Sequence, residues 1–550
     1  MDRAWLEEWP NVTENDKQRI RAIVKGTDWN HVFSGLSHPA EQVLQIISYI
    51  GGYDVPREFF LGPSQNHEPP FYDSSIFSTI VAELEKRKLV QRIQHNDGIY
   101  LHVRLAVQIA VNKRIQNDTF KRQQRYETAQ ALLRKSIPHP DITQPGNERL
   151  WPFSTTYYYC LDGFYRQAIL STPSSGPTQD LKFAELISDG VHFMHERSSQ
   201  TETTPLLLTA SRICKSTLRH SRTRVKSLYP SILILRSKNE TFAGIAGRAE
   251  AFRLLAKATD MHTEYWEEFP TQAGSYEAKV KLASLRYDLA CNYMQREQLA
   301  KAEEVFKHVL EVYDKLGGED AHPVRYGLVR CHQALILGSK GQTSEALELA
   351  SKGYTLVKAM LEQNPHLEVK IMFLLAMLAF NLGRFKQALE LHLAILKARY
   401  KLLGPKHHET LSSQYMVAVC ELNSDVEGRR EAEKRLRKIL RRTQTDRHWR
   451  KEDLARAAFR LCLCLEQDAA DIEKIQPLTF ESFAEKERLI NEADFWAQKS
   501  SDWREEWYHM LPRDMRKGYL TDKAEMALYD YGVHLGHGRT GGVWNTSQHW

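Results

Sequence analysis

A short amphipathic pattern that recurs at nearly constant spacing constrains this chain more than any other feature. It reads AKAEEVFKHV, SEALELASKG and KQALELHLAI, with a weaker fourth copy, REAEKRLRKI. Its third residue is always alanine, at Ala302, Ala346, Ala388 and Ala432, so that successive copies lie 44, 42 and 44 residues apart. A fixed period of roughly 20–50 residues is the mark of a stacked repeat architecture.

Two further positions keep the same register. Twelve residues before each alanine the chain carries a small side chain, at Ala290, Ala334, Ala376 and Cys420. Five residues before the second and third alanines it carries Gly341 and Gly383. Small residues let two antiparallel helices approach closely, and glycine accepts the positive φ of a tight turn. The register therefore predicts helix pairs, two helices to each repeat.

We predict a mainly α fold: an α-solenoid of tetratricopeptide-type helix pairs, preceded by a small winged-helix-like α+β domain. The predicted segments are a charged lead-in (1–36), the winged-helix-like domain (37–118), a linker helix and loop (119–150), degenerate helical repeats (151–275), clear repeats (276–445), a terminal helix pair or cap (446–500) and a Trp/Gly-rich tail (501–550).

The winged-helix prediction rests on the order of elements near the N-terminus. An apolar helical stripe in HPAEQVLQIISYIGG is followed by PREFFLG, which predicts a second short helix, and by a third helix from Ser74. The turn sequence from His95 to Gly98 then predicts a β-hairpin. The third helix has few basic residues, so we do not expect it to bind DNA.

The same segment resembles the winged-helix part of fungal NB-ARC/tetratricopeptide proteins, which are STAND-type (NOD-like) signalling ATPases. The resemblance lies in PAEQVLQIISYIGGYDVPREFF, LEKRKLV and LHVRLAVQ. The family segment ends in a histidine followed closely by Arg-Leu-Val-Gln; here His102 precedes Arg104-Leu105 and Val107-Gln108, with two extra residues interrupting the pattern. The family histidine reaches the nucleotide of the ATPase module, and the interruption weakens that role for His102.

The sequence contains no G-x-x-x-x-G-K-[ST] loop, the motif that cradles phosphates in such ATPases. The chain thus resembles the part of such a protein that follows the ATPase module. The repeat period also resembles that of kinesin light-chain-type tetratricopeptide repeats. The family resemblance implies a regulatory portion that either acts in trans, with an NB-ARC-type ATPase as one possible partner, or survives as a truncated relative.

Composition argues against several other classes. The 75 basic and 69 acidic residues nearly balance over 550 residues, which is not a nucleic-acid footprint. The odd number of widely spaced cysteines, seven, favours reduced and buried thiols. The N-terminus has no apolar signal core, and the longest apolar run, 371–380, is too short to span a membrane. We predict a cytoplasmic protein, with the nucleus as the alternative and no membrane partner.

No residue pattern predicts catalysis, a cofactor or a metal site. Cys160 has no histidine placed to activate it, and Gly536–Gly541 fits G-x-G-x-x-G only formally, with too little chain after it for a βαβ unit. His407 and His408 fit a loop between repeats, and Cys462 with Cys464 lacks a second ligand pair. We predict no enzyme and no cofactor.

The strongest charge feature is RREAEKRLRKILRRTQTDRHWRK, from Arg429 to Lys451. Its apolar residues Leu436, Ile439 and Leu440 share one helical face, so the pattern predicts an amphipathic helix with a solvated basic exterior. An acidic partner or RNA on that exterior is the alternative.

In stacked helix pairs the first helix of each pair lines a groove that binds peptides or partner helices. In each repeat we count from the small packing residue. The residues three positions before it, one position after it and five positions after it should line this groove. The register predicts Tyr287, Cys291 and Gln295; Cys331, Leu335 and Ser339; Phe373, Met377 and Asn381; Val417, Glu421 and Asp425; with Lys370 also facing inward. The alternative is that these side chains pack against the next repeat.

We therefore predict a non-catalytic protein-interaction scaffold that binds a protein or peptide in this groove. By resemblance it is the sensor and regulatory part of a fungal NB-ARC/tetratricopeptide signalling protein. A cargo or assembly adapter of the kinesin light-chain type is the first alternative. A nucleic-acid-associated regulator that uses the winged helix and the basic helix 429–451 is the second. The sequence does not indicate the oligomeric state.

Overall fold

The computed structural model describes residues 13–51, 54–61, 73–95, 98–115, 117–137, 139, 151–170, 179–196, 203–242, 245–295, 298–361, 365–405, 407–443, 451–474 and 479–510. The chain divides into two compact units, one of residues 1–140 and 149–232, the other of residues 141–148 and 233–550. Helices dominate both units, and the predicted mainly α fold with an array of helix pairs is confirmed. Within the described residues no helix is both long and apolar enough to cross a membrane.

The first unit is built around α3 (His38–Ile50), which packs against four neighbouring helices. Ser37 starts the helix, since its side chain accepts a hydrogen bond from the backbone N–H of Ala40, and Gly51 ends it with a φ of 63°. The other helices of this unit are α1 (Glu14–Gly26), α2 (Trp29–Phe33), α4 (Ser74–Lys86), α5 (Leu105–Ile115), α6 (Thr119–Ser136), α7 (Trp151–Leu170), α8 (Leu181–Glu196), α9 (Thr204–Thr217) and the start of α10 (Arg222–Phe242).

A three-stranded antiparallel sheet lies in this unit, in the order β1 (Val55–Pro56), β3 (Gly98–His102), β2 (Gln91–His95). The predicted hairpin is present as β2 and β3. The second predicted helix is not an α-helix: Pro56 continues an extended strand, and only a single 3₁₀ turn, Arg57–Phe60, follows. The turn ends at Leu61, whose φ of −94° and ψ of 141° are extended. The description of residues 37–118 as a winged helix stays a prediction.

Aromatic side chains fill the core beneath α3. Tyr49, Tyr126, Phe164 and Phe183 are buried, and their ring centroids lie 5.1–6.5 Å apart in stacked or edge-to-face pairs. Such pairs add about 0.5–1.5 kcal/mol each beyond simple burial. The aromatic cluster joins α3 to α6, α7 and α8.

The second unit is a series of helices that pack mainly against their sequence neighbours. After the end of α10 it contains α11 (Ile245–Glu268), α12 (Pro270–Ala273), α13 (Tyr276–Gln295), α14 (Leu299–Asp314), α15 (Gly318–Ala321), α16 (Pro323–Ser339), α17 (Thr343–Leu361), α18 (Pro365–Asn381), α19 (Phe385–Leu403), α20 (His408–Leu422), α21 (Val426–Thr443), α22 (Lys451–Glu473) and α23 (Phe480–Met510). The pairs α13/α14, α16/α17, α18/α19, α20/α21 and α22/α23 make extensive mutual contacts.

The predicted packing register is confirmed. The small residues of the first helices and the signature alanines of the second helices are all fully buried, at 0% exposure: Ala290, Ala334, Ala376, Cys420, Ala302, Ala346, Ala388 and Ala432. The two turn glycines have the positive φ values that were expected, 78° at Gly341 and 70° at Gly383. One offset in the sequence therefore corresponds to one packing position in four successive pairs.

The last pair extends further than the sequence indicated. We expected its second helix to end near Lys499 and a tail to begin at residue 501, but α23 continues to Met510. Trp503 packs against the core of the array, which accounts for the additional turns. The G-x-G-x-x-G sequence, Gly536–Gly541, lies outside the described residues.

Two glycines bring the backbones of α16 and α17 into direct contact. A Cβ atom on Gly353 would lie 2.8 Å from the carbonyl oxygen of Gly327 and 2.9 Å from the Sγ of Cys331. A Cβ on Gly327 would lie 2.6 Å from the carbonyl oxygen of Gly353. No side chain fits at either position unless the two helices separate.

Gly353→Ala should therefore lower the free energy of unfolding by about 1–3 kcal/mol, because the added methyl group forces apart two packed backbones. If the glycine had free space around it, the same substitution would instead raise the free energy of unfolding, since alanine is favoured over glycine in a helix by about 1 kcal/mol. Urea unfolding followed by circular dichroism measures the difference. Ser351→Ala, on the exposed side of the same helix, is the matched control and should change stability by less than about 0.5 kcal/mol.

Candidate partner-binding surface

The predicted groove residues lie on the first helices of successive pairs, except Asp425, which lies in the turn before α21. Most of those whose side chains are described are not open to solvent in the isolated chain. Those whose side chains the structure describes are 0–8% exposed, Asp425 excepted: Tyr287, Cys291, Cys331, Leu335, Phe373, Met377, Val417 and Glu421. Asp425 is exposed, and its Oδ1 accepts a hydrogen bond from the backbone N–H of Gly428. The side chains of Gln295, Ser339, Lys370 and Asn381 lie outside the described part. Binding by the predicted set stays a prediction.

Tyr287 contacts the next repeat through His332. The Nδ1 of His332 donates a hydrogen bond to the carbonyl oxygen of Leu328 at 2.8 Å and lies 3.3 Å from the Tyr287 hydroxyl oxygen. The ring of Phe306 packs against both rings, at centroid distances of 5.8 Å. At this position a polar contact joins the first helices of consecutive pairs, α13 and α16.

Phe373 lies beside a buried arginine. The Arg399 guanidinium carbon is 4.9 Å from the centre of the Phe373 ring, and its Nη1 donates to the Glu409 carbonyl oxygen and the Ser413 hydroxyl. His392 packs edge-on against the same ring. Burial, together with the Arg399 charge, lowers the pKa of His392 to about 3, so this imidazole is neutral near pH 7. The phenylalanine thus covers a packed polar cluster.

Glu421 is joined to the helix that follows it. The Nε and one Nη of Arg435 donate to its two carboxylate oxygens, at 3.0 and 2.8 Å. A bidentate pair of this kind fixes the orientation of both side chains. Of the two carboxylates predicted for the fourth repeat of the groove, Glu421 is therefore neutralised within the chain, whereas Asp425 remains exposed.

Residues 429–443 of the basic run lie in α21, with Leu436, Ile439 and Leu440 fully buried as predicted. Residues 444–450 of the run lie outside the described part, and Lys451 begins α22. Fewer basic side chains on the outer face of α21 are left unpaired than expected, because arginines form ion pairs with carboxylates on neighbouring helices. Arg429 lies 3.3 Å from Asp468 and 2.7 Å from Asp471 on α22.

Arg437 makes the longest-range of these connections. It donates to Glu433 within α21 and, through both Nη atoms, to Glu492 on α23. These hydrogen bonds raise the pKa of Arg437 and lower that of Glu492. Periodicity did not indicate this pairing, since the two partners lie in different repeats. Among the side chains of this helix that the structure describes, the exposed cations are Arg430, Lys434, Lys438 and Arg441.

The described cysteines are buried thiols without disulfide partners, as predicted. Burial raises the pKa values of Cys160, Cys214, Cys331 and Cys464 to about 12. A thiol with such a pKa is protonated near pH 7 and is a poor nucleophile. Within the described residues no group of three His, Cys, Asp or Glu side chains is arranged to hold a metal ion.

His102, at the position of the family histidine, contacts Asp54 beside the sheet. The His102 Nδ1 is 2.8 Å from one carboxylate oxygen of Asp54, and the His95 Nε2 is 3.4 Å from the other. The hydrogen bond from His102 and the weaker one from His95 lower the pKa of Asp54. All three side chains are partly exposed. The structure thus assigns His102 a partner within the chain.

Comparison with known proteins adds little. No protein-family model matches the chain, and no curated protein matches it. Among solved structures, the chain is similar to BtubC (BKLC) from P. vanneervenii, with 15% identity, 50% of this chain and 98% of that chain covered, and a TM-score of 0.34. It is also similar to a signal transduction ATPase (STAND) protein with a tetratricopeptide repeat sensor from Pyrococcus horikoshii, with 13% identity, 91% and 67% covered, and a TM-score of 0.38.

A third similar structure is a monomeric mutant of IFIT1 with Gppp-AAAA, with 11% identity, 88% of this chain and 99% of that chain covered, and a TM-score of 0.27. At these identities and TM-scores the likenesses carry no argument about what this chain binds.

The Arg437–Glu492 pair predicts a pH-dependent stability. The pKa of Glu492 is lower in the folded chain, so the pair contributes fully above about pH 5 and its contribution is lost as pH falls through the folded pKa. Glu492→Gln should lower the free energy of unfolding by about 1 kcal/mol at pH 7, since solvent screens a half-buried pair, and by much less at pH 3.

Urea unfolding at the two pH values measures that difference. Glu487→Gln, at an exposed position within α23, is the control and should change the free energy of unfolding by less than about 0.5 kcal/mol at either pH. A Glu492→Gln effect of equal size at pH 7 and pH 3 would mean that the lost carboxylate charge is not responsible.

Proposed function

We propose that this chain is a non-catalytic scaffold whose helix-pair array binds a protein or peptide partner. The observation that carries the proposal is the shared register: eight small residues, two from each of four pairs, are fully buried at equivalent positions. Pairs that stack with one geometry repeat the same surface along the array, and such surfaces suit extended ligands. The ligand class is a peptide or a partner helix.

The binding residues are those that the register assigns to the groove. Its apolar members, among them Phe373 and Met377, are already packed, so we propose that a ligand contacts their exposed edges. Polar anchoring then falls to Gln295, Lys370 and Asn381, which the register places at the groove. An apolar peptide with a few polar anchors fits such a set.

We further propose that the chain is the sensor and regulatory part of a STAND-type signalling protein. Two features support this narrower role: the sequence resemblance around His102, and a unit that contains a small sheet followed by a helical array. The ATPase partner is then an NB-ARC-type module acting in trans. An adapter of the kinesin light-chain type would use the same array without an ATPase.

Binding through the groove makes a direct prediction. Peptides selected from a displayed library against the full chain should lose affinity by at least about tenfold when Lys370→Ala and Asn381→Ala are combined, since a lost charged hydrogen bond costs about 1.5–3 kcal/mol. Fluorescence anisotropy with a labelled selected peptide measures the affinity. Hydrogen exchange of α18 should slow when the peptide is bound.

The matched control changes the second helix of the same pair. Lys386→Ala with Gln387→Ala removes one cation and one amide from the exposed side of α19. It should leave the peptide affinity within about twofold and the circular dichroism unchanged, because surface substitutions away from a site have small effects. Equal losses in both double variants, or a loss in neither, would exclude binding through the predicted groove.

Nucleic-acid binding by the basic helix has weaker support, because Arg429, Arg435 and Arg437 already pair with carboxylates. We expect the chain to show no saturable binding of single-stranded RNA or duplex DNA, even at about 50 mM salt, where phosphate contacts are strong. A mobility-shift titration tests this. Saturable binding that falls steeply with salt and is reduced by Lys438→Ala with Arg441→Ala would replace the peptide proposal with the nucleic-acid one.

A further inference from the structure

Helix α6 carries two arginines on its buried side, one turn apart. Arg122 and Arg125 are three residues apart, which places them on the same face of a helix. They are 8% and 6% exposed. Arginine is always charged under ordinary conditions, and a buried charge is normally paired with an opposite one. These two residues are therefore expected to have a counter-charge close by.

The described surroundings of Arg125 are polar and aromatic but not acidic. Its guanidinium carbon lies 4.3 Å from the centre of the Tyr49 ring, and its Nη1 donates a 2.9 Å hydrogen bond to the Oδ1 of Asn112. Both contacts fix the plane of the guanidinium, but neither neutralises its charge. Burial, with the neighbouring Arg122 charge adding to it, lowers the pKa of Arg125 to about 9.

Several hydrogen-bond donors around the two arginines have no acceptor. The Nε atoms of Arg122 and Arg125 are buried without a hydrogen-bond partner, and so are the Nδ2 of Asn112 and the hydroxyl groups of Tyr49 and Tyr126. Within the described part of the chain, no aspartate or glutamate forms an ion pair with either arginine. The cluster thus combines two positive charges with unsatisfied donors from three helices.

We propose that Arg122, Arg125 and Asn112 form a binding site for a tetrahedral oxyanion of the phosphate class. Such an anion offers several strong acceptor oxygens and the negative charge that the cluster lacks. The planar fork of a guanidinium matches two of those oxygens at once, which a point charge such as lysine does not. The Tyr49 ring holds Arg125 in one orientation before the ligand arrives, so little side-chain freedom is lost on binding.

The competing occupant is a carboxylate of the chain itself, from a segment outside the described residues. The two occupants give opposite results when Arg122 is replaced. Removing an arginine that lacks an internal partner relieves an unpaired buried charge, whereas removing one that has a carboxylate partner leaves that carboxylate buried and unpaired.

The test titrates the full chain with inorganic phosphate, pyrophosphate and sulfate by isothermal calorimetry, at an ionic strength held constant with chloride. We expect saturable binding of phosphate or pyrophosphate at one site per chain, and at least about tenfold weaker binding by Arg122→Met, which loses charged hydrogen bonds. Arg104→Met removes an exposed arginine of the same unit and should bind as tightly as the unmodified chain.

Thermal unfolding in phosphate-free buffer distinguishes the two occupants. An anion site predicts that Arg122→Met has a Tm equal to or above that of the unmodified chain, and that phosphate raises the Tm only of the latter. A lower Tm for Arg122→Met in phosphate-free buffer, or a failure of that variant to fold, indicates an internal carboxylate and overturns the proposal. The absence of saturable phosphate and pyrophosphate binding to the unmodified chain overturns it as well.

Discussion

The close approach of paired helices at small side chains is the contact on which the second unit depends. Ala334 and Ala346 are fully buried where two helices of one pair meet, and equivalent residues are fully buried in the other pairs. Gly327 and Gly353 bring two backbones closer still, to distances that exclude a Cβ atom. Because the separation is set in this way in each pair, each pair presents the same edge to the next one. The array is regular because the closest contacts between its paired helices are regular.

The regular stacking of the pairs also constrains the proposed binding groove. In a stack of helix pairs, the side chains that border the groove also contact the next pair, and both roles draw on the same positions. Phe373 is an example: it packs against Arg399 and His392, and only a small edge remains exposed. A ligand that uses such a groove contacts edges of rings and the polar side chains beside them. Specificity then depends on the polar residues more than on the buried apolar ones.

The sequence was informative where a physical requirement repeats along the chain. A small residue at each helix crossing recurs with the period of the repeat, and so does a glycine at two of the tight turns. Both the fold class and the positive sign of φ at Gly341 and Gly383 could therefore be predicted. Pairings that occur once leave no periodic trace. The contact between Arg437 and Glu492 joins residues of different repeats, and the strand at Val55–Pro56 forms only because β3 lies beside it. The burial of the groove residues likewise depends on neighbours that a single helical pattern does not specify.

The arginines of the two units differ in a way that composition alone conceals. In the second unit Arg435 and Arg437 are basic residues of one amphipathic helix, and each reaches a carboxylate on a neighbouring helix. In the first unit Arg122 and Arg125 are more deeply buried than either, and within the described part no carboxylate forms an ion pair with them. Burial without a counter-charge costs more than burial with one, so a chain that keeps two such charges side by side gains most from an external anion. Charge pairing therefore stabilises the array by itself, whereas helix α6 would, under the proposal made above, reach its full stability only when an anion is bound.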